Sequence, residues 1–407
     1  MRNFFCYYVK NLLWIYLCIM LCFGYMLIVD LIPEHIYMTK GGKLKWNNTI
    51  PVNIVIQNKN KDYDTTAVFQ ELDYGEYTAE CFLLGVIPIK QVHISVVDKT
   101  SVYASGKIIG VYGKTKGVLV TGVSRVLDES GEMVTPGKSV VEMGDYIIAV
   151  NGNPITKKEQ LLDYVRSSNG ETMSLEVLHK GETLTSEIEP AKTKKGEYLL
   201  GLWVKDDLAG IGTLTYFTTD QQFGALGHGI SDGNTGNLME LSDGCIYDAT
   251  ILDIEKSSTG HPGKIQGAVK YSKSNKYGEV ESNSNIGIYG ELDNEDFLKF
   301  SNDSILLEIM HKQDVELGEA EIISEIDGTT RNYDIEIVSV NYDPKNENKQ
   351  IMFKVTDERL FEKTGGIVQG MSGSPIVQDG KILGAVTHVF IEDPTKGYGI
   401  FIENMMQ

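Results

Sequence analysis

The sequence predicts a mainly β protein that has an N-terminal membrane helix, a small α+β module and a large β domain. Three observations lead to this fold class. The chain contains 42 glycines and few segments with the apolar period of a helix. An apolar run without a charge lies near the N-terminus. About ten short apolar segments, separated by Gly, Asn and Asp turns, follow residue 196.

The composition of the 407-residue chain is that of a folded protein with more than one domain. Hydrophobic residues make up 42% and charged residues 23%, a balance that excludes a disordered chain. The net charge of −19 excludes nucleic acid as a partner, because phosphate binding needs clustered Lys and Arg. Cys81 and Cys245 lie outside the apolar run, and we expect both to be buried small hydrophobes.

The apolar run Leu12–Val29 is long enough to cross a bilayer. Arg2 and Lys10 precede it, whereas Asp30 and Glu34 follow it. By the positive-inside rule, the N-terminus is therefore cytoplasmic and the body of the protein lies on the other side of the membrane. A cleaved signal peptide is the alternative, but no small-x-small cleavage site follows the run.

Residues 101–190 predict a compact α+β module. Residues 116–126 have the pattern of a strand, residues 144–155 ("GDYIIAVNGNPI") that of a hairpin with an Asn-Gly turn, and residues 156–168 that of a helix. A second hairpin follows. This order, together with the "GD.I..VNG..I" segment, resembles a PDZ domain of the bacterial type.

A PDZ domain binds a peptide by adding it as a strand to an exposed sheet edge. The resemblance places this peptide-binding edge at Lys116, Gly117, Val118 and Leu119. The alternative is a module that only spaces the membrane from the rest of the chain.

The segment "GMSGSPIVQDGKILGAVTH" predicts an exposed serine on a tight turn, followed by a hairpin. Gly370 and Gly373 flank Ser372 closely enough for a turn that presents its hydroxyl. Backbone N–H groups of Ser372 and Gly370 would then form an oxyanion hole. Since no helix follows, this is not the nucleophile elbow of an α/β-hydrolase. We expect Ser372 to be a nucleophile.

A serine nucleophile needs a base, and His228 is the best candidate among seven histidines. It lies between two glycines in "FGALGHGISD", which is the setting of an exposed side chain on a turn. His388 follows on the strand after the serine, and we expect it to line a pocket. The other histidines lie in the predicted stalk, in or before the PDZ-like module, or on loops.

A third group, a carboxylate, should fix the tautomer of the base. The residues alone leave five aspartates open for this role: Asp232, Asp248, Asp253, Asp293 and Asp357. There is no HExxH motif and no Cys/His cluster, and no phosphate-binding or dinucleotide-binding fingerprint. The sequence therefore predicts no metal and no cofactor.

The order of an apolar anchor, a PDZ-like module, "GALGHGISD" and "GGIVQGMSGSPIVQDGK" resembles the stage IV sporulation protein B family of serine peptidases. The resemblance implies a chymotrypsin-like double β-barrel with Ser372 as nucleophile and His228 as base. It places the catalytic aspartate at Asp357, in "KVTDERLFEKTGG". Asp357 could instead cap the helical turn that follows it, because Asp is a favoured N-cap residue.

The resemblance also implies a function in sporulation signalling. Such proteins are made in the forespore and exported into the space between its two membranes. There they cleave the inhibitory partner of a membrane-embedded metalloprotease, so that a late mother-cell sigma factor is activated. They also cleave themselves near the N-terminus. A non-catalytic PDZ adaptor at the membrane is the alternative, although the glycines and the histidine that catalysis needs are present.

The predicted organisation has four parts. Residues 1–33 form a cytoplasmic N-terminus and membrane anchor, and residues 34–100 form a stalk and a β-rich segment. A PDZ domain follows at 101–190, and the serine peptidase domain occupies 196–407.

Overall fold

A computed structural model describes residues 2–42, 52–58, 61–64 and 72–406 of the chain. The first element is the long helix α1 (Arg2–Asp30), which contains the apolar run Leu12–Val29. Most side chains of this run are exposed, as expected for a helix whose natural surroundings are lipid rather than protein. The helix therefore has the length and composition of a membrane anchor or a signal sequence.

A five-stranded sheet follows α1, in the order β1-β5-β4-β2-β3. Only β1 and β5 run parallel, and the sheet has its own core, which includes Ile36, Ile54 and Cys81. Part of the predicted stalk is thus strand, whereas residues 43–51, 59–60 and 65–71 lie outside the described residues. The strands are β1 (His35–Thr39), β2 (Val52–Asn58), β3 (Lys61–Asp64), β4 (Gly75–Leu83) and β5 (Ile87–Val97).

The next region contains the predicted PDZ-like module. Its one helix, α2 (Lys158–Ser167), buries Leu161 and Val165 in the core but leaves Leu162 exposed. The strands are β6 (Ser101–Ala104), β7 (Ile108–Val123), β8 (Val126–Leu127), β9 (Met133–Val134), β10 (Tyr146–Val150), β11 (Asn153–Pro154), β12 (Met173–His179), β13 (Glu182–Ile188), β14 (Ala191–Lys192) and β15 (Tyr198–Leu199).

Barrel 1 is formed by β7 and strands from the following region. The pairings β7–β16, β16–β17, β17–β21, β21–β20, β20–β18 and β18–β7 return to the starting strand and close a ring. The elements are β16 (Leu202–Phe217), β17 (Gln222–Ala225), β18 (Leu241–Glu255), β19 (Gly263–Val269), β20 (Lys276–Ser284), β21 (Gly287–Leu292), α3 (Asn294–Asp303) and β22 (Ile305–Glu308).

Barrel 2 is a closed barrel of six strands in the order β23-β24-β25-β29-β28-β27. Its interior is filled by buried aliphatic and aromatic side chains such as Ile322, Phe353 and Phe401. The predicted double β-barrel is thereby confirmed. The elements are β23 (Gly318–Ser324), β24 (Arg331–Val340), β25 (Ile351–Val355), α4 (Glu358–Thr364), β26 (Val368–Gln369), β27 (Pro375–Gln378), β28 (Lys381–Val389), β29 (Lys396–Phe401) and α5 (Ile402–Met405).

The strands β7 and β16 belong to the PDZ-like module and to barrel 1 at once. The first half of β7 pairs with β18 of barrel 1, from Ile109 to Thr115, whereas its second half pairs with β10 of the PDZ-like module. The strand β16 pairs with β7 along both halves. The module is thus inserted between two neighbouring strands of barrel 1. The division at 101–190 and 196–407 stays a prediction, and the pairing adds residues 108–115 to the first barrel.

The pairing of β7 corrects the predicted peptide-binding edge at Lys116, Gly117, Val118 and Leu119. Val118 and Leu119 pair with β10 on one side, and Leu119 pairs with Lys205 of β16 on the other. The amide of Lys116 donates to the carbonyl of Glu240. A strand with neighbours on both sides cannot accept a peptide. The edge strand of the module that lies beside α2 is instead β16, at residues 202–204.

Candidate active site

A cavity of about 460 Å³ lies between the two barrels and contains both Ser372 and His228. Barrel 1 contributes the loop that follows β17 (the His228 loop, residues 226–231). Barrel 2 contributes the loop between β26 and β27 (the Ser372 loop, residues 370–374) and the end of β28. The structure therefore brings together, from separate barrels, the two residues that the motifs predict to act as a pair.

Hydrogen bonds hold the Ser372 loop on both barrels. The amide of Gly373 donates to the carbonyl of Val386 in β28 at 2.7 Å. Across the interface, the amide of Thr213 in β16 donates to the Ser372 carbonyl at 3.0 Å, and the Thr213 hydroxyl donates to the Gly370 carbonyl at 2.9 Å. The loop is therefore fixed by barrel 2 and by the barrel 1 strand that passes beside it.

Glycine is required at both ends of this loop. Gly370 and Gly373 have φ angles of +104° and +96°, which L residues with a side chain rarely adopt. A Cβ atom at Gly373 would also lie 2.1 Å from the Thr213 carbonyl oxygen. The missing side chain allows β16 to approach the serine closely.

The Ser372 side chain is half-buried in the cavity, and its hydroxyl donates to the Thr387 carbonyl at 2.7 Å. Among the described residues, no acceptor is recorded for the Ser372 amide, whereas the amides of Gly373 and Ser374 are both used. An amide without an internal acceptor can donate to an oxyanion.

His228 is oriented by its own loop. Its Nδ1 atom lies 2.9 Å from the Gly229 carbonyl oxygen, and since a carbonyl only accepts, Nδ1 must carry the proton. In the neutral ring Nε2 is then the free base. Burial lowers the pKa of His228 below its usual value, and the hydrogen bond to Gly229 opposes this only in part. The ring is therefore neutral, and able to accept a proton, at pH 7.

His388 lines the same cavity, as its position after the serine motif predicts. Its ring centroid lies 5.2 Å from that of His228. Burial, together with the neighbouring His228 and Lys349, lowers the pKa of His388 to about 4. Its Nδ1 atom is buried, with no hydrogen-bond partner among the described residues. His388 is thus a second uncharged imidazole beside the base.

Comparison with known proteins gives the family. The model of the SpoIVB peptidase S55 family matches residues 196–406, which is more than half of the chain. The chain belongs to the SpoIVB peptidase S55 family. It is therefore a serine peptidase, a hydrolase that acts on peptide bonds.

A PDZ domain model matches residues 141–178 of this SpoIVB-type peptidase, within the inserted module. Two solved structures of PDZ domains are similar to about a fifth of the chain. The PDZ domain of an SdrC-like protein from Listeria monocytogenes is 24% identical, with a TM-score of 0.19, over 22% of this chain and 87% of that one. The PDZ domain of an SdrC-like protein from Listeria innocua is 23% identical, with the same TM-score, over 22% and 92%.

Asp357 does not join the cavity of this SpoIVB-type peptidase. Its carboxylate accepts hydrogen bonds from the backbone N–H groups of Arg359 and Leu360 and thereby caps α4. The Arg359 guanidinium also binds it, at 2.5 Å. These bonds outweigh burial and lower the pKa of Asp357 to about 2. The catalytic assignment of Asp357 stays a prediction that its contacts do not support.

None of the other four candidate aspartates lines the cavity either. Asp232 accepts from the Lys205 ammonium and from two amides of its own turn, and Asp248 accepts from Tyr277. In the described state, the group that fixes the His228 tautomer is the Gly229 carbonyl. A backbone carbonyl has no residue-type signature, so sequence reasoning missed it. Across the described residues there is no cluster of His, Cys, Asp and Glu that could hold a metal.

Proposed function

We propose that this protein is a membrane-anchored serine endopeptidase of sporulation in which Ser372 is the nucleophile and His228 the base. The observation that carries the proposal is the common cavity between the barrels. Ser372, which is flanked by glycines, shares this cavity with a neutral histidine whose Nδ1 proton is already fixed by the Gly229 carbonyl. His228 can then take a proton at Nε2, as a general base must.

The proposed reaction begins with a rotation of the Ser372 side chain. In the described state its hydroxyl donates to the Thr387 carbonyl, so it must turn toward Nε2 of His228 before it attacks a peptide carbonyl. The proton moves from Oγ to Nε2 as the Oγ–C bond forms. The Ser372 N–H and the Gly370 N–H would bind the resulting oxyanion. His228 then returns the proton to the leaving amine, and water hydrolyses the acyl-enzyme in a second cycle.

The substrates and the setting form the finer part of the proposal. The family supports a role in sporulation. We place the body in the space between the two forespore membranes, held there by α1. The proposed substrates are the inhibitory partner of a membrane-embedded metalloprotease, whose removal activates a late sigma factor, and the chain itself near its N-terminus.

The inserted PDZ domain would bind one of these proteins at the edge of β16. A cavity of about 530 Å³ lies between α2 and residues 198–204. Its apolar lining includes Leu162, which α2 leaves exposed, and Leu199. A free strand edge beside a helix is the arrangement that strand addition requires.

Active-site labelling tests the catalytic assignment. A fluorophosphonate should label the full chain in detergent at Ser372, and both labelling and casein cleavage should fall by about 10⁴-fold or more in Ser372→Ala. The matched control is Ser374→Ala, since Ser374 is buried and its hydroxyl has no partner among the described residues. This variant should still be labelled. Equal cleavage by Ser372→Ala and the wild type would contradict the assignment of Ser372, and a wild type that is neither labelled nor active would favour the non-catalytic adaptor.

A further inference from the structure

The hairpin between β4 and β5 has an apolar tip that no other part of the described chain covers. The eight residues 82–89, "FLLGVIPI", contain no charged or other polar side chain. Leu84, Val86 and Ile87 are 65%, 75% and 47% exposed. Such a contiguous exposed apolar patch marks a contact surface rather than ordinary soluble surface.

Strand register shows in which direction this hairpin extends. The strand β1 starts five residues after α1 ends and leads away from it. The strand β5 runs parallel to β1, with His93 opposite His35. Residues of β5 that precede His93 therefore extend back toward α1, and the hairpin tip is the part that reaches farthest in this direction.

Direct contacts place the hairpin beside the apolar part of α1. The Tyr25 hydroxyl, which lies within the run Leu12–Val29, donates to the Ile89 carbonyl at 3.2 Å. Ile28 packs against the core of the five-stranded sheet. Lys90, the residue after Ile89, donates from its ammonium group to the Ile32 carbonyl at 3.0 Å, just beyond the end of the apolar run.

The hairpin and α1 therefore change from apolar to charged residues at the same height. Lys90 of the hairpin and Glu34 of the chain after α1 lie 3.6 Å apart, at the polar end. Beyond these two residues, toward the hairpin tip, both the hairpin (residues 82–89) and α1 (residues 12–29) are apolar. At a rise of about 3.3 Å per residue, Ile87, the first residue of β5, lies about 7 Å beyond Ile89, and the turn that contains Val86 follows it. This is the depth at which apolar faces enter the boundary between headgroups and acyl chains.

We propose that the hairpin tip, residues 84–87 (the membrane hairpin), is inserted into the same bilayer as α1. The partner is thus lipid, and continuity with the proposed anchor is the reason for choosing it over a protein. The backbone also suits lipid, where unpaired polar groups are costly. Phe82 pairs with Pro88, which has no N–H, and the exposed Ile89 carbonyl is satisfied by Tyr25.

The inference goes beyond the proposed catalysis but rests on the proposed anchor. Insertion gives the body a second, non-covalent contact with the membrane. It fixes the five-stranded sheet, and with it the base of the body, at the membrane surface.

A polarity-sensitive fluorophore, attached at single cysteines in vesicle-reconstituted full-length chains, tests the proposal. The accessible native cysteines are replaced by serine, and Ser372→Ala prevents self-cleavage. Three sites are compared. Val86→Cys reports the membrane hairpin, Ile19→Cys reports α1, and Lys180→Cys reports an exposed hairpin of the PDZ domain far along the chain. Nitroxide lipids and aqueous iodide serve as the two quenchers.

We expect labels at positions 86 and 19 to be quenched several-fold more by nitroxide lipids than the label at position 180, with the reverse order for iodide. Lipid quenching at 19 without lipid quenching at 86 overturns the hairpin proposal and leaves the anchor standing. Shielding of 86 from both quenchers also overturns it, and indicates a protein contact. If neither 19 nor 86 meets lipid, the anchor and the hairpin proposals both fail, whereas the labelling test of Ser372 is unaffected.

Discussion

The two loops that form the active site are held in different ways. The Ser372 loop is bonded to β28 of its own barrel and to Thr213 of the other, and glycine lets β16 pass in direct contact with it. The hydrogen bonds given for the His228 loop, by contrast, stay within barrel 1: the amides of Leu226 and Gly229 donate to the carbonyls of Thr213 and Asn285. The loop of the nucleophile is therefore fixed by both barrels, whereas the loop of the base is fixed by barrel 1.

The barrels that carry these loops differ as well. Barrel 2 closes through six strands of its own. Barrel 1 closes through β7 and β16, which continue into the PDZ domain. Asp206 lies at the irregularity in β16 between the two parts, and its carboxylate binds both the backbone N–H and the ammonium of Lys158 on α2. A peptide that binds beside α2 thus contacts a strand of the barrel that carries the base.

The largest expected effect follows from a change at the contact between the barrels. In Gly373→Ala, the new Cβ would lie 2.1 Å from the Thr213 carbonyl oxygen, so β16 and the serine must separate. A displacement on the order of 1 Å costs about 10²-fold in rate, and we expect cleavage by the purified chain to fall at least this far. Overpacking and backbone strain should also lower the free energy of unfolding by about 2–5 kcal/mol.

Gly380→Ala is the matched control for Gly373→Ala. Gly380 also has a positive φ, +70°, but a Cβ there meets nothing within 4 Å. Only the cost of the left-handed conformation remains, about 1–2 kcal/mol, and activity should be kept. Equal activity of the two variants would contradict the close contact between the barrels.

A smaller effect is expected at Asp357 of barrel 2. As the N-cap of α4, it should tolerate Asn better than Ala: Asp357→Ala should cost about 1–3 kcal/mol and Asp357→Asn about 1 kcal/mol or less, measured by urea unfolding. The reason is that Asn can still accept from the amides of Arg359 and Leu360.

Activity of Asp357→Asn then separates the two roles of this residue. If Asp357 only caps α4, cleavage by Asp357→Asn should stay within about tenfold of wild type under conditions where both proteins are fully folded. An aspartate that orients the base predicts a loss of about 10⁴-fold for the same change. The larger loss would restore Asp357 as the third member of the triad and would require a rearrangement of barrel 2 in the active state.

The smallest expected effect is on the pH profile. Burial lowers the pKa of His228, so its neutral form persists below the ordinary histidine value of about 6.5. The acid limb of kcat/KM should therefore lie below pH 6.5. Because the unfolded chain binds the proton first, stability should also fall as pH drops below 6.5.

His388→Gln should leave the acid limb of kcat/KM in place, since the pKa of His388 is about 4 and the ring is already uncharged. A limb above pH 6.5 would contradict the buried, neutral base.

Local patterns were enough to predict much of this molecule. The Asn-Gly turn at Asn151 and Gly152 has the positive φ angles that a two-residue hairpin needs, and α2 begins and ends within two residues of the predicted helix. The glycines around Ser372 and His228 predicted two loops with exposed side chains; the structure places both loops in one cavity, where these side chains are half-buried. Cys81 is buried as expected, whereas Cys245 is only half-buried.

Features that depend on distant pairing could not be predicted. Nothing in residues 108–115 indicates that this strand belongs with β18, more than a hundred residues later, because strand sequences do not specify partners. For the same reason, the predicted peptide-binding edge lay on β7, one strand away from the free edge on β16. Asp357 and its competitors are equivalent in sequence, since only the surrounding donors decide whether a carboxylate caps a helix or faces a histidine.

The continuity of β7 and β16 makes the peptidase inseparable from the PDZ domain. A fragment that begins at residue 196 keeps the whole region matched by the family model but lacks β6 and β7. Both β16 and β18 would then present unpaired edges, which are ready templates for association with other chains. Proteolysis between β7 and β16 could cut the inserted module without freeing a catalytic unit. Any control that the PDZ domain exerts must act by bending shared strands, because there is no linker around which it could swing.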